Sequence, residues 1–191
     1  MPPFTLTTKR ARSRLAALLM GACLLAGSLA AAPAAQATPS GILALTCTPP
    51  SSAVTTYSPA LTNTPQQVAS TVSYQFGPCV SATTAVTSGT ATLNNAPRAR
   101  SCFDLLGSAT RTLTVTWNTG QTSTMSLNVS ATVVGAVLQT LLTGTVTSGL
   151  FQGHTVLIDQ TAPAASILTC TAGLGTVPSL YSTVAVEITT L

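Results

Sequence analysis

From position 109 to 118 the chain reads ATRTLTVTWN, with Thr110, Thr112, Thr114 and Thr116 at every second place and Leu113, Val115 and Trp117 between them. Successive side chains of a strand point to opposite faces, so this stretch predicts a half-buried strand whose outer face is threonine. After a Gly-containing loop at 118–121 the alternation resumes. Met125, Leu127, Val129, Ala131 and Val133 share one face, and Thr124, Ser126, Asn128, Ser130 and Thr132 share the other. Two alternating runs about a short glycine turn make a β-hairpin.

Other segments repeat the pattern. In QQVASTVSYQF, Val68, Val72, Tyr74 and Phe76 share a face; in STVAVEITT, Val184, Val186 and Ile188 do. Shorter strands are expected over 54–61, 86–93, 144–147 and 155–159, punctuated by prolines and glycines. The segment 133–144, VVGAVLQTLLTG, reads equally as a continuing strand or a short helix. About a fifth of the chain beyond residue 37 is threonine, which favours strands, and no fixed period suggests a solenoid. Many short strands with regular turn signals predict an all-β fold, an antiparallel β-sandwich of immunoglobulin-like character.

Residues 1–37 read as a cleaved secretory signal. Lys9, Arg10, Arg12 and Arg14 precede an apolar run from Leu15 to about Ala32, and Ala35-Gln36-Ala37 has the small-x-small form that places cleavage between Ala37 and Thr38. A single domain over 38–191 and no membrane span after cleavage follow from this reading. The net charge of +4 then belongs to the leader, because Arg98, Arg100 and Arg111 balance Asp104, Asp159 and Glu187 in the remainder. A neutral domain lacks the basic surface that nucleic acid or an anionic membrane would require.

Cys23 leaves with the leader, so the domain keeps Cys47, Cys79, Cys102 and Cys170. An even number in an exported chain reads as two disulfides, with three pairings open. The preferred one is Cys47–Cys170 with Cys79–Cys102. ILALTC and SILTC share an LTCT echo, and on alternating strands Cys47 would lie beside Leu43 and Leu45, and Cys170 beside Leu168.

Chemistry is sparse. His154 is the one histidine, metal-ligand spacings such as CxxC are missing, and no serine occupies a GxSxG elbow. Asp159 lies five residues from His154, on the opposite face if the segment is a strand, so no catalytic residue, metal site or cofactor is assigned. In RARSCFD, Arg98, Arg100 and Asp104 share parity; this reads as an ion pair beside a disulfide, or alternatively as a contact for a small anion. Trp117 has core parity, whereas Tyr57, Tyr181 and Phe151 are the aromatics free to be exposed for glycan binding. Asn128-Val129-Ser130 is a glycosylation sequon placed on a strand.

The stretches TYSPALTNTPQQV, YQFGPCVS, VTSGTATL, SCFDLL, TVTWNTGQTSTMS and GTVTSGLFQGHTV resemble a group of exported proteins of high-GC Gram-positive bacteria with no established activity. The resemblance covers most of the chain after the leader, includes Cys79, Cys102 and Cys170, and implies secretion and an all-β fold. More distantly, a two-disulfide secreted sandwich is similar to the apoproteins that carry antitumour chromophores, although the cysteine spacings differ. The expected function is that of a non-enzymatic extracellular structural or binding module, with a cell-wall component or another protein as partner. The alternative is a carrier of a small apolar ligand, in a cavity lined by residues such as Met125, Leu127 and Phe151; glycan binding and hydrolysis rank lower.

Overall fold

The computed structural model describes residues 41–190; the expected leader and its Ala37–Thr38 cleavage point lie outside them. Ten strands follow in order: β1 (Leu43–Cys47), β2 (Ser52–Leu61), β3 (Gln66–Phe76), β4 (Cys79–Ser81) and β5 (Gly89–Arg100). Then come β6 (Ser108–Trp117), β7 (Thr122–Val134), β8 (Val137–Gly149), β9 (Thr155–Pro163) and β10 (Val177–Thr189). A 3-10 turn, Cys102–Leu106, separates β5 from β6, and a short helix α1, Ala165–Thr171, separates β9 from β10.

The alternation at 109–118 and 122–133 is the β6–β7 hairpin. Leu113 faces Met125 across it, and Thr114 faces Thr124, with the two threonine hydroxyls 3.2 Å apart on the outside. The ambiguous segment 133–144 is a second hairpin. Its turn falls at Gly135, whose φ of 61° lies in the left-handed region that glycine enters without steric penalty.

The all-β reading with two disulfides holds, but the sheet is closed rather than split into two layers. β2, β3, β5, β6, β7, β8, β9 and β10 pair antiparallel in that order, and β10 returns to β2, making an eight-stranded barrel. The immunoglobulin-like expectation gives way for a physical reason. Strands β5 to β10 run as a continuous meander, and β10 is long enough to serve two partners on one edge. Its first half pairs with β2, from Val177↔Leu61 to Thr183↔Ser52, and its second half pairs with β1, ending at Leu43↔Thr189. Closure pairs β10 with β2, the two edges that an open sheet of these eight strands would leave free, while β4 remains an edge beside β1.

The barrel interior is packed in two apolar clusters. The larger includes Phe76, Leu113, Val115, Trp117, Met125, Leu127, Phe151 and Ile158. Trp117 is core, as its parity predicts, and its Nε1–H donates to Ser123 Oγ at 2.8 Å, which in turn donates to the Leu150 carbonyl at 2.6 Å. The smaller cluster lies under α1 and joins Leu61, Val68, Leu138, Ala162, Ile167 and Val177.

The disulfides correct the expected pairing. Cys47 bonds Cys79, its direct cross-strand neighbour between β1 and β4, with Cα atoms 4.0 Å apart; Cys102 bonds Cys170, joining the 3-10 turn to α1. The expected Cys47–Cys170 and Cys79–Cys102 bonds rested on SILTC being a strand, and it is helical. Ala164, Ile167 and Cys170 are fully buried at a spacing of three, which is a helical period, while Leu168, expected beside Cys170, is 45% exposed. The two LTCT stretches therefore occupy different structures.

Candidate ligand-binding site

Strands β5 and β6 are neighbours that barely touch. Their only paired positions are Gly89↔Trp117 and Thr90↔Thr116, so beyond those residues the barrel wall parts. The close approach at Gly89 permits even this contact: a Cβ there would lie 2.5 Å from Trp117 Cε3. Above the parting the chain leaves the wall to form the 3-10 turn, then re-enters as β6 at Ser108.

The register of β5 also slips. Ser70 of β3 faces Asn95, but Val68 faces Arg98, so three residues of β5 span the distance of two in β3. This bulge contains Pro97, which has no N–H to offer the ladder. The slip reverses the alternation. Leu93 and Asn95 point inward before it, and Arg98 and Arg100, which sit opposite the inward positions Val68 and Gln66, share that face after it. Across the gap, Arg111 has the inward parity of Leu113 and Val115 in β6.

These placements deliver Arg98, Arg100 and Arg111, all the Lys and Arg side chains among the described residues, to one cavity of about 170 Å³. Each of the eight barrel strands contributes to its lining, so it is part of the barrel lumen. Tyr57, Ser70, Tyr74, Thr140, Gln160 and Ser182 supply further polar groups; Val129, Leu138, Leu142 and Leu105 supply apolar ones.

Arg100 is the most enclosed of the three arginines, 7% exposed. Its Nη1 donates to Ser70 Oγ at 2.7 Å, and its Nε–H is buried without a hydrogen-bond partner. Ser70 Oγ also accepts from Asn95 Nδ2 at 3.2 Å, which fixes its position. Burial holds the Arg100 guanidinium below its ordinary range; the like charges of Arg98 and Arg111 push the same way, against Tyr57 and Asp104. Tyr57 is raised by burial, opposed by Arg111 and Arg100. Tyr74 is raised by burial too, opposed by the bond that Gln160 Nε2 donates to its hydroxyl at 3.1 Å and by Arg111.

Asp104 lines the same cavity, but its Oδ2 accepts from the Ser101 backbone N–H at 2.7 Å and the Ser101 hydroxyl at 3.0 Å, capping the 3-10 turn. The expected ion pair in RARSCFD is thus replaced by a capping contact. Arg98 and Arg100 do reach a common face, as their parity suggests, with Arg111 as an addition from a different strand.

Other candidates fall elsewhere. Met125, Leu127 and Phe151 are buried in the large cluster and do not line this cavity. Phe151, grouped with aromatics free to be exposed, is buried; Tyr181 is on the surface, and Tyr57 is half-buried toward the lumen. His154 packs edge-on against Phe151 in the β8–β9 turn, beyond the stretch of β8 that lines the cavity. Among the described residues there is no group of three or more His, Cys, Asp or Glu placed to hold a metal, and no helix is long and apolar enough to cross a membrane. No family model, curated protein or solved structure matches this chain.

Proposed function

We propose that the protein is a secreted, non-enzymatic binding module that carries one small molecule in the barrel lumen. The observation that carries this reading is the lumenal cavity itself, lined from all eight strands, the parted stretches of β5 and β6 among them. A barrel of this size has an interior just wide enough to be filled by side chains or to hold one small ligand. Here the residues that would complete the filling are polar and charged, a poor choice for a core and a good one for recognition. The two disulfides support folding outside the reducing cytosol. The threonine-covered outer face supplies solubility to a domain with few charges.

Native mass spectrometry on the protein purified from culture supernatant, beside the same sample denatured, tests the reading. The expected result is extra mass in the native spectrum that denaturation releases, on a chain beginning at Thr38 and lacking four hydrogens. A bare chain in both spectra, with no small molecule from a broad panel raising its melting temperature, would return the protein to the structural-module alternative. Retention on chitin, cellulose or peptidoglycan would then point to a wall component as the partner.

A further inference from the structure

We propose that the lumenal site recognises an oxyanion, the carboxylate or phosphate group of a small ligand, gripped by Arg100 and Arg111 across the gap between β5 and β6. This rests on the carrier reading and names the class of ligand it would take.

Three observations converge. The first is charge: three guanidinium groups share one cavity with a single carboxylate, and that carboxylate already accepts two hydrogen bonds from Ser101. Guanidinium is the side chain whose fork of donors matches a carboxylate or phosphate in two parallel bonds. The second is the unpartnered Nε–H of Arg100. A buried donor left unpaired is costly, and one on a cation more so, unless something supplies an acceptor. Nη1 is held by Ser70, so the guanidinium is oriented before any ligand arrives. The third is the bulge at 96–97, which reverses the alternation of β5 and puts Arg100, buried, and Arg98, still exposed, on the face that lines the cavity. Without it they would share the solvent face, where an arginine is unremarkable. Bulges that re-aim side chains are characteristic of binding and catalytic sites.

Size and lining set the rest of the ligand. A cavity near 150 Å³ accommodates benzene, whereas drug-sized ligands occupy at least about 300 Å³. At about 170 Å³ the lumen admits a body of roughly benzene size bearing one oxyanion, not a lipid or a large chromophore. Val129, Leu138 and Leu142 offer that body an apolar wall, and the Tyr57 hydroxyl offers the oxyanion a further donor.

The test is calorimetric titration of the secreted protein with benzoate, with benzyl alcohol as its neutral counterpart, and with inorganic phosphate. Benzoate should bind at least about tenfold more tightly than benzyl alcohol. Arg111→Gln and Arg100→Gln should each weaken benzoate about ten- to hundredfold and leave benzyl alcohol nearly unchanged. Thermal unfolding of each variant verifies that it is folded, and Arg98→Gln serves as the replacement if Arg100→Gln does not fold. Phosphate binding without benzoate binding keeps the oxyanion and assigns it to an inorganic source. Equal affinity for benzoate and benzyl alcohol would overturn the oxyanion proposal while leaving the carrier reading intact. Failure of both benzoate and phosphate to bind would overturn the proposal, and a bare native mass spectrum would then remove the carrier reading with it.

Discussion

Arg100 is an expensive residue for the folded chain to keep. Its charge is desolvated, pressed by Arg98 and Arg111, and answered by one hydroxyl. Buried charges of this kind can often be replaced by apolar groups of similar length without loss, or with a gain of about 1–4 kcal/mol. Arg100→Met should therefore raise the melting temperature of the ligand-free protein, by about 2–4 °C for each kcal/mol recovered, while abolishing benzoate binding. A lower melting temperature would show that the Ser70 bond and the packing of the arginine stem outweigh the desolvation. Tyr57 and Tyr74 make a separate statement about pH. Burial raises both in the folded state, so they bind their protons more tightly than in the unfolded chain. The stability this contributes is complete below the unfolded value of about 10 and is lost as pH climbs through the folded values. Urea midpoints at pH 9 and pH 11 should show the fall, and it should be smaller in Tyr57→Phe.

Whether an element was legible depended on whether its period was clean. The β6–β7 hairpin alternates without a fault and forms as its pattern predicts. SILTC fits a strand only if Leu168 is the buried partner of Cys170; counted by threes from Ala164 it fits a helix, and in so short a segment the two periods compete on a single residue. The same ambiguity misdirected the disulfides, because a cysteine on a helix under the barrel end meets a different neighbour from one on a strand. Arg111 was legible in principle. It occupies an inward position in an otherwise apolar row, and a charge at core parity is the sequence signal of a lumenal site. Arg98 and Arg100 were legible only by their shared parity, since nothing in NNAPRAR says on which side of the sheet the bulge will leave them. At this scale Gly89→Ala should destabilise the domain by about 1–3 kcal/mol, because its Cβ would meet the Trp117 ring at the only ladder contact between β5 and β6. A denaturant midpoint unchanged from that of the natural chain would mean that β5 can shift away at no penalty.

For the whole molecule, alternation announces half-buried antiparallel strands but not whether the sheet they form splits or closes. Closure depends on β10 pairing with β2 across more than a hundred residues of sequence, a contact that no local pattern encodes. Closure has a functional consequence: the inward faces of eight strands converge on one lumen, so the arginines of β5 and β6 come to share one cavity with residues as distant in the chain as Thr55 and Ser182. The Cys102–Cys170 bond holds the 3-10 turn and α1 together at the same end of the barrel, where Leu105 reaches the cavity. Closing its loop of 68 residues stabilises the fold by about 4 kcal/mol in the chain-entropy description. Cys102→Ser with Cys170→Ser should lower the unfolding free energy by about that amount and weaken ligand retention, whereas a peptide map of the natural chain under non-reducing conditions should join Cys47 to Cys79.

The most direct test of an oxyanion held in the lumen is to watch the Arg side-chain Nε–H resonances by heteronuclear NMR while benzoate is added. The account predicts that the Arg100 and Arg111 signals shift strongly and become slow to exchange with water, with the accompanying backbone changes confined to residues around the cavity. Arginine signals that stay in place, or changes restricted to the outer threonine face, would contradict it.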